Sequence, residues 1–145
     1  MEHFDHITND LQKFIEKQKI FFVGTATSDG LINISPKGLE SLKVIDKNRI
    51  LWMNLTGSGN ESAAHTQENP RMTLMFTSFD KKPLILRVYG EVKTIHRLDK
   101  DWDILSSYFP PSDASRQIFD LSISLVQTSC GYAVPFYDFK GERDI

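Results

Sequence analysis

NLTGSGNESAAHTQENPRMTLMF, residues 54–76, carries the most distinctive run of local signals in the chain. An apolar segment ends at Asn54, a Gly57-Ser58-Gly59 loop follows, Asn60 is placed to cap a short polar helix, and Asn69-Pro70 stops that helix before another apolar segment. The order is strand, glycine loop, helix, strand. Glycines let a backbone approach a ligand closely, and the first turn of a helix presents unpaired N–H groups at the positive end of its dipole. Such a corner favours anions, so the residues point to a phosphate-bearing small molecule. No Gly-Lys-Ser/Thr follows the glycines, which excludes a Walker loop, and a dinucleotide fingerprint would need a third glycine.

Composition narrows what the corner can belong to. The 145 residues suit a single domain, residues 1–145, of a size that removes roughly 70% of its unfolded surface from water. A net charge of −2 and the lack of a basic block provide no footprint for nucleic acid or an anionic membrane. The longest apolar runs have strand length, and the opening MEHFDHITND is acidic and polar rather than signal-like. A cytoplasmic location is therefore expected. Cys130 is the single cysteine, which rules out an intrachain disulfide and a cysteine-rich zinc site, and it is expected to be buried. His3 and His6 have no third ligand nearby, so no metal is assigned.

Outward from the corner, periodicity assigns the other elements. Phe4, Ile7, Leu11, Phe14 and Ile15 recur at helical spacing and predict an amphipathic helix over about the first eighteen residues. Segments 20–27 and 31–35 are short and apolar, and the Ser28-Asp29-Gly30 turn between them predicts a hairpin. In the second of these, Ile32 and Ile34 are expected on a core face, with Asn33, Ser35 and Lys37 on a polar one. Pro36 and Gly38 flank Lys37 and would hold its amine in place.

A second hairpin is predicted from 42–45 and 49–55 across Asp46-Lys47-Asn48. Ile50 and Trp52 fall on one face of its second strand, and Leu51, Met53 and Leu55 on the other. Both faces then need cover, and a partner subunit or a flat aromatic ligand is expected over one of them. Strands are also predicted over 72–77 and 84–92, with Gly90 marking a bend or bulge. Helices are predicted over 99–108 and 112–120, followed by a last strand around Leu121, Ile123 and Leu125 and a packed aromatic tail. Hairpin turns with few helices argue an antiparallel meander or barrel.

Several short motifs stand in a recognisable order: Thr25-Ala26-Thr27-Ser28-Asp29-Gly30, Ser35-Pro36-Lys37-Gly38, Gly59-Asn60, Asn69-Pro70-Arg71, and Leu86-Arg87-Val88-Tyr89-Gly90. Over residues 18–135 the chain thereby resembles the pyridoxamine 5′-phosphate oxidase-like family of FMN-binding split-barrel flavoproteins, in its short general branch. The resemblance implies a mainly β fold with peripheral helices, a six-stranded antiparallel split β-barrel, and a homodimer with FMN at the subunit interface. By analogy, Ser35 and Lys37 would contact the flavin or its phosphate, and the backbone of Trp52, Met53 and Asn54 would lie against the ring. Ser58, Gly59, Asn60 and Ser62 would help hold the phosphate, and Arg87 would add positive charge. Glu61 is discordant, because a first-turn carboxylate repels a dianionic phosphate unless it points away.

The functional expectation is an FMN-dependent oxidoreductase of unknown substrate, in which the flavin carries electrons and the protein positions it. Members that oxidise vitamin B6 phosphates are longer and carry arginine and histidine in a C-terminal segment, so that reaction is not the first choice. The alternative is a non-catalytic flavin-binding or stress-related module, or a binder of another flat cofactor such as a deazaflavin or haem. No residue is assigned as a catalytic acid or base, and His65 is read as an exposed helical histidine.

Overall fold

A computed structural model of the chain describes residues 1–144. Among them are eight strands and three helices, in the order β1 (Glu2–Phe4), α1 (Asn9–Lys17), β2 (Phe21–Thr25), β3 (Asn33–Lys37), β4 (Leu42–Asp46), β5 (Arg49–Leu55), α2 (Glu61–Glu68), β6 (Arg71–Thr77), β7 (Ile85–His96), α3 (Trp102–Ser106) and β8 (Ser115–Ser129). Every strand pairing is antiparallel. The sheet runs β3-β2-β6-β7-β8-β5-β4, and β1 joins the free edge of β8 beyond the end of β5. The fold is thus mainly β with peripheral helices, as expected, but with eight strands instead of six and with β3 and β4 as unjoined edges.

The two longest strands form the spine. β7 pairs with β8 from Ile85↔Ser129 to His96↔Gln117, with one register shift between Tyr89 and Gly90. A Cβ at position 90 would overlap the Ser122 carbonyl oxygen and stand 2.9 Å from Leu121 Cδ1, so only glycine fits the bulge. That bulge lies at the bend predicted from Gly90.

Each face of the sheet has its own core. Leu74, Leu86, Val88, Phe119, Leu121, Ile50 and Trp52 pack on one side together with Leu11 and Ile15 of α1. Trp52 is wholly buried, stacked on Phe119 at 4.5 Å and edge-on to Phe21 at 6.2 Å, and its indole N–H donates to Met72 Sδ at 3.2 Å. On the other side Leu51, Met53, Ile95 and Ile118 pack under Leu105 and Phe109. The doubly apolar strand is therefore covered on both faces by its own chain, and the expectation that one face needs a partner or ligand is overturned. The reason is α3 and the segment after it, which fold back over β5.

Other expectations are corrected in the same way. The first helix starts only at Asn9, because Thr8 is extended and its hydroxyl accepts the Leu11 N–H as an N-cap. Residues 2–4 instead pair with β8, whose edge groups would otherwise lack partners. The second predicted C-terminal helix is replaced by the start of β8, where Gln117, Phe119 and Leu121 alternate with Ile118 and Asp120 between β5 and β7. The helix expected over 99–108 shortens to Trp102–Ser106.

Ile32 and Ile34 are 75% and 69% exposed, not core. Register explains this: Phe21↔Lys37, Val23↔Ser35 and Thr25↔Asn33 put the polar residues of β3 on the buried face of β2. Cys130 is exposed, as are Tyr132, Phe136, Tyr137 and Phe139 of the tail, against the expectation that all would be packed. Phe79 is in contact with Tyr137, at 5.5 Å between ring centres. No helix among the described residues is long and apolar enough to cross a membrane.

Candidate functional site

The end of β3, the end of β5, the start of β8 and the N-terminus of α2 converge on one corner. Register places Ser35 and Lys37 on the inward face of β3, beside Val23 and Phe21. The Lys37 ammonium reaches over Trp52, 5.6 Å from the ring centroid, and donates to Asn54 Oδ1 at 3.4 Å. Among the described residues no carboxylate lies within 4.0 Å of it. Burial pushes its pKa below the ordinary lysine value, with the Glu61 charge opposing that fall and Arg116 adding to it.

Asn54 is the hub. Only 4% exposed, its amide N–H2 donates to Asn60 Oδ1 at 3.0 Å and to Gln117 Oε1 at 2.9 Å. Because the Asn60 side chain is engaged there, it does not cap α2, and the helix has no side-chain cap. The first-turn N–H groups are thus left for another acceptor. Arg116 straps the preceding loop down, donating from Nη1 to Gly59 O and from Nη2 to Gly57 O, both at 3.1 Å.

Beneath α2 the Thr25 hydroxyl bonds the Ser62 hydroxyl at 3.4 Å and His65 Nδ1 at 3.0 Å. His65 is half-buried, not exposed as its helix position suggested. Farther along the helix, Glu68 accepts the Ser28 hydroxyl and backbone N–H at 2.8 and 3.3 Å, which holds its carboxyl below the usual range and ties the β2–β3 hairpin to α2.

Ser35, on the same inward face of β3 as Lys37, accepts from Asn33 Nδ2 at 2.9 Å, and the structure brings together Lys37, Asn54, Gly59 and Asn60 at this corner, with Ser62 beneath it on Thr25 and exposed Ser58 at the tip of the loop. Trp52 floors it, whereas the Met53 side chain enters the second core, across the sheet. Arg87 does not join them: it lies on the outer face of β7, pairs with Met75 and donates to Ser129 Oγ at 3.3 Å. There it lines an open groove of about 630 Å³ with Phe22, Ile32, Ile34, Met75 and Tyr89. Thr25 touches both groove and corner, so the two are adjacent. Reasoning from sequence missed Arg116 and Gln117, which fell in a segment read as helix; their alternation with Ile118 was the available signal.

A half-buried cation, an uncapped helix start and a strapped glycine loop form a donor set that fits a phosphate. Residues 7–130 match the sequence profile described as pyridoxamine 5′-phosphate oxidase. A curated relative from Aspergillus flavus, the pyridoxamine 5′-phosphate oxidase family protein ustO, is 34% identical over 140 residues, covering 93% of this chain and 56% of that protein. This chain thus spans little more than half the length of that relative. Among solved structures, a HupZ variant from Group A Streptococcus superposes with a TM-score of 0.68 at 14% identity, over 85% of this chain and 99% of that one. An FMN-binding protein from Syntrophomonas wolfei superposes with a TM-score of 0.61 at 15% identity, over 81% and 82% of the two chains. The structural likenesses establish a shared fold, and the profile match across most of the chain establishes descent: this protein belongs to the pyridoxamine 5′-phosphate oxidase family.

Proposed function

We propose that the chain binds FMN and acts as an FMN-dependent oxidoreductase, with the cofactor phosphate in the corner between Lys37 and the start of α2. The observation that carries this reading is the Lys37 ammonium, half-buried and, among the described residues, with no carboxylate within 4.0 Å. A half-buried cation with no carboxylate in direct contact is costly, and an arriving phosphate would relieve that cost. Lys37 and the α2 N–H groups would hold the phosphate, Arg116 would keep the Gly57–Gly59 loop in shape, and Asn54 would lock Asn60 and Gln117 in place. When bound, FMN would supply the electron-transfer chemistry.

The second part of the proposal is a homodimer closed over the outer groove. Ile32 and Ile34 stand beside Phe22, Met75 and Tyr89 on a face that water covers in the single chain. Cover from a second copy would place that apolar surface against its own kind by two-fold symmetry. Arg87 and Tyr89 would then lie at the interface, next to the cofactor corner through Thr25.

The test is direct. Purified protein is expected to take up FMN and show its absorption bands, which bleach when NADH or NADPH is added without oxygen. Lys37→Ala should weaken FMN binding at least about tenfold, the loss of one charge-assisted contact. A haem-type spectrum, or no FMN uptake, would refute the flavin assignment; bands that persist with both nicotinamides would refute nicotinamide-driven reduction and leave a flavin-binding module. Sedimentation as a clean 16.6 kDa monomer would refute the dimer.

A further inference from the structure

The corner contains one charge of the wrong sign. Glu61 is the first residue of α2, and its side chain folds back along the loop, with the two carboxylate oxygens 2.5 and 2.7 Å from where a Cβ on residue 59 would stand. The same glycine offers its carbonyl to Arg116 at 3.1 Å. Glu61 also acts electrostatically on Lys37. A carboxylate at this place lies in the first turn of α2, where the helix dipole favours negative charge, and beside the loop that Arg116 holds. Those are the features that would recruit a phosphate.

We propose that the Glu61 carboxylate is a resident competitor for the anion position, so that it sets how strongly this corner prefers a phosphate-bearing ligand over its uncharged counterpart. The inference builds on the FMN reading and adds a specificity-determining residue to it. An incoming phosphate dianion must displace the carboxylate or bind beside it, and either course costs affinity that a neutral ligand does not lose. Gly59 is part of the same device: because it has no side chain, the carboxylate can lie against the loop, and a methyl group there would push Glu61 out. The corner would accordingly hold its phosphate ligand less tightly than its cations alone would allow.

Glu61→Gln keeps the shape and removes the charge, and Gly59→Ala expels the side chain while keeping the charge. Both variants and the wild type are titrated with FMN and with riboflavin by fluorescence, and with inorganic phosphate by following the Lys37 side-chain NMR signal in flavin-free protein. Glu61→Gln should tighten both FMN and inorganic phosphate about tenfold, the scale expected for a single charge facing a dianion through solvent. Riboflavin affinity should change less than about twofold by the same reasoning. The Lys37 titration should move further down in Glu61→Gln, since the charge that supports its protonated form is gone. Gly59→Ala should shift phosphate affinity in the same direction as Glu61→Gln. Unchanged phosphate affinity in Glu61→Gln, or riboflavin tightened as much as FMN, would overturn the proposal. If neither flavin binds, the FMN reading fails by itself, and the phosphate titration still decides the role of Glu61.

Discussion

Phe109→Ala tests the finding that β5 is covered by its own chain. Phe109 is 6% exposed and closes the second core over Leu51, Met53, Ile95 and Ile118, all of them 4% exposed or less. Truncating a buried phenylalanine typically costs about 3–5 kcal/mol, from lost apolar burial and the cavity left behind. Phe109 also lines two open hollows of about 160 and 470 Å³, so water and neighbouring side chains can partly fill the gap. The expected cost is therefore near the lower end, about 3 kcal/mol. Urea unfolding of wild type and variant at two protein concentrations a hundredfold apart would measure it. The difference between the two proteins should be the same at both concentrations, because the contact is made within one chain. A cost below about 1 kcal/mol, or one that grows on dilution, would show that something other than this segment covers β5.

One substitution and one titration follow from the geometry. Gly90→Ala should destabilise by about 2 kcal/mol or more, since the added methyl overlaps the Ser122 carbonyl within the β7–β8 pair; a loss below about 0.5 kcal/mol in the same unfolding assay would deny the bulge its tight fit. Asp80 accepts a hydrogen bond from Lys17 at 2.7 Å and one from the Ser78 hydroxyl at 2.9 Å, which lower its carboxyl pKa to about 2. Because the folded value lies below the ordinary aspartate value of 3.8, its contribution to stability is present above that pH and fades as pH falls through about 2. NMR titration of the Asp80 side chain should show a midpoint near 2, and a midpoint near 4 would mean that α1 is not tied to the β6–β7 loop in solution.

Local chemistry accounts for what could be read in advance. Asn54, the glycine loop, the α2 start and the Asn69-Pro70 stop lie within one continuous stretch, and their order follows from turn and breaker residues acting on neighbours. The β4–β5 hairpin and the bend at Gly90 were legible for the same reason. Period-two alternation showed that β3 has an apolar and a polar face. It carried no information about which face is buried, and pairing with β2 turned Ser35 and Lys37 inward and Ile32 and Ile34 outward.

Residue types at short separation were enough for the antiparallel β class, the family and the strand, glycine loop and helix order of residues 54–68. That Arg116 bonds the Gly57–Gly59 loop and Gln117 bonds Asn54, that Arg87 stands on the opposite face, and that α3 and Phe109 cover β5 came from long-range packing. Each of those facts is a contact between segments far apart in the chain. Such contacts are set by strand register and by which surface each segment can bury, and no local pattern specifies them.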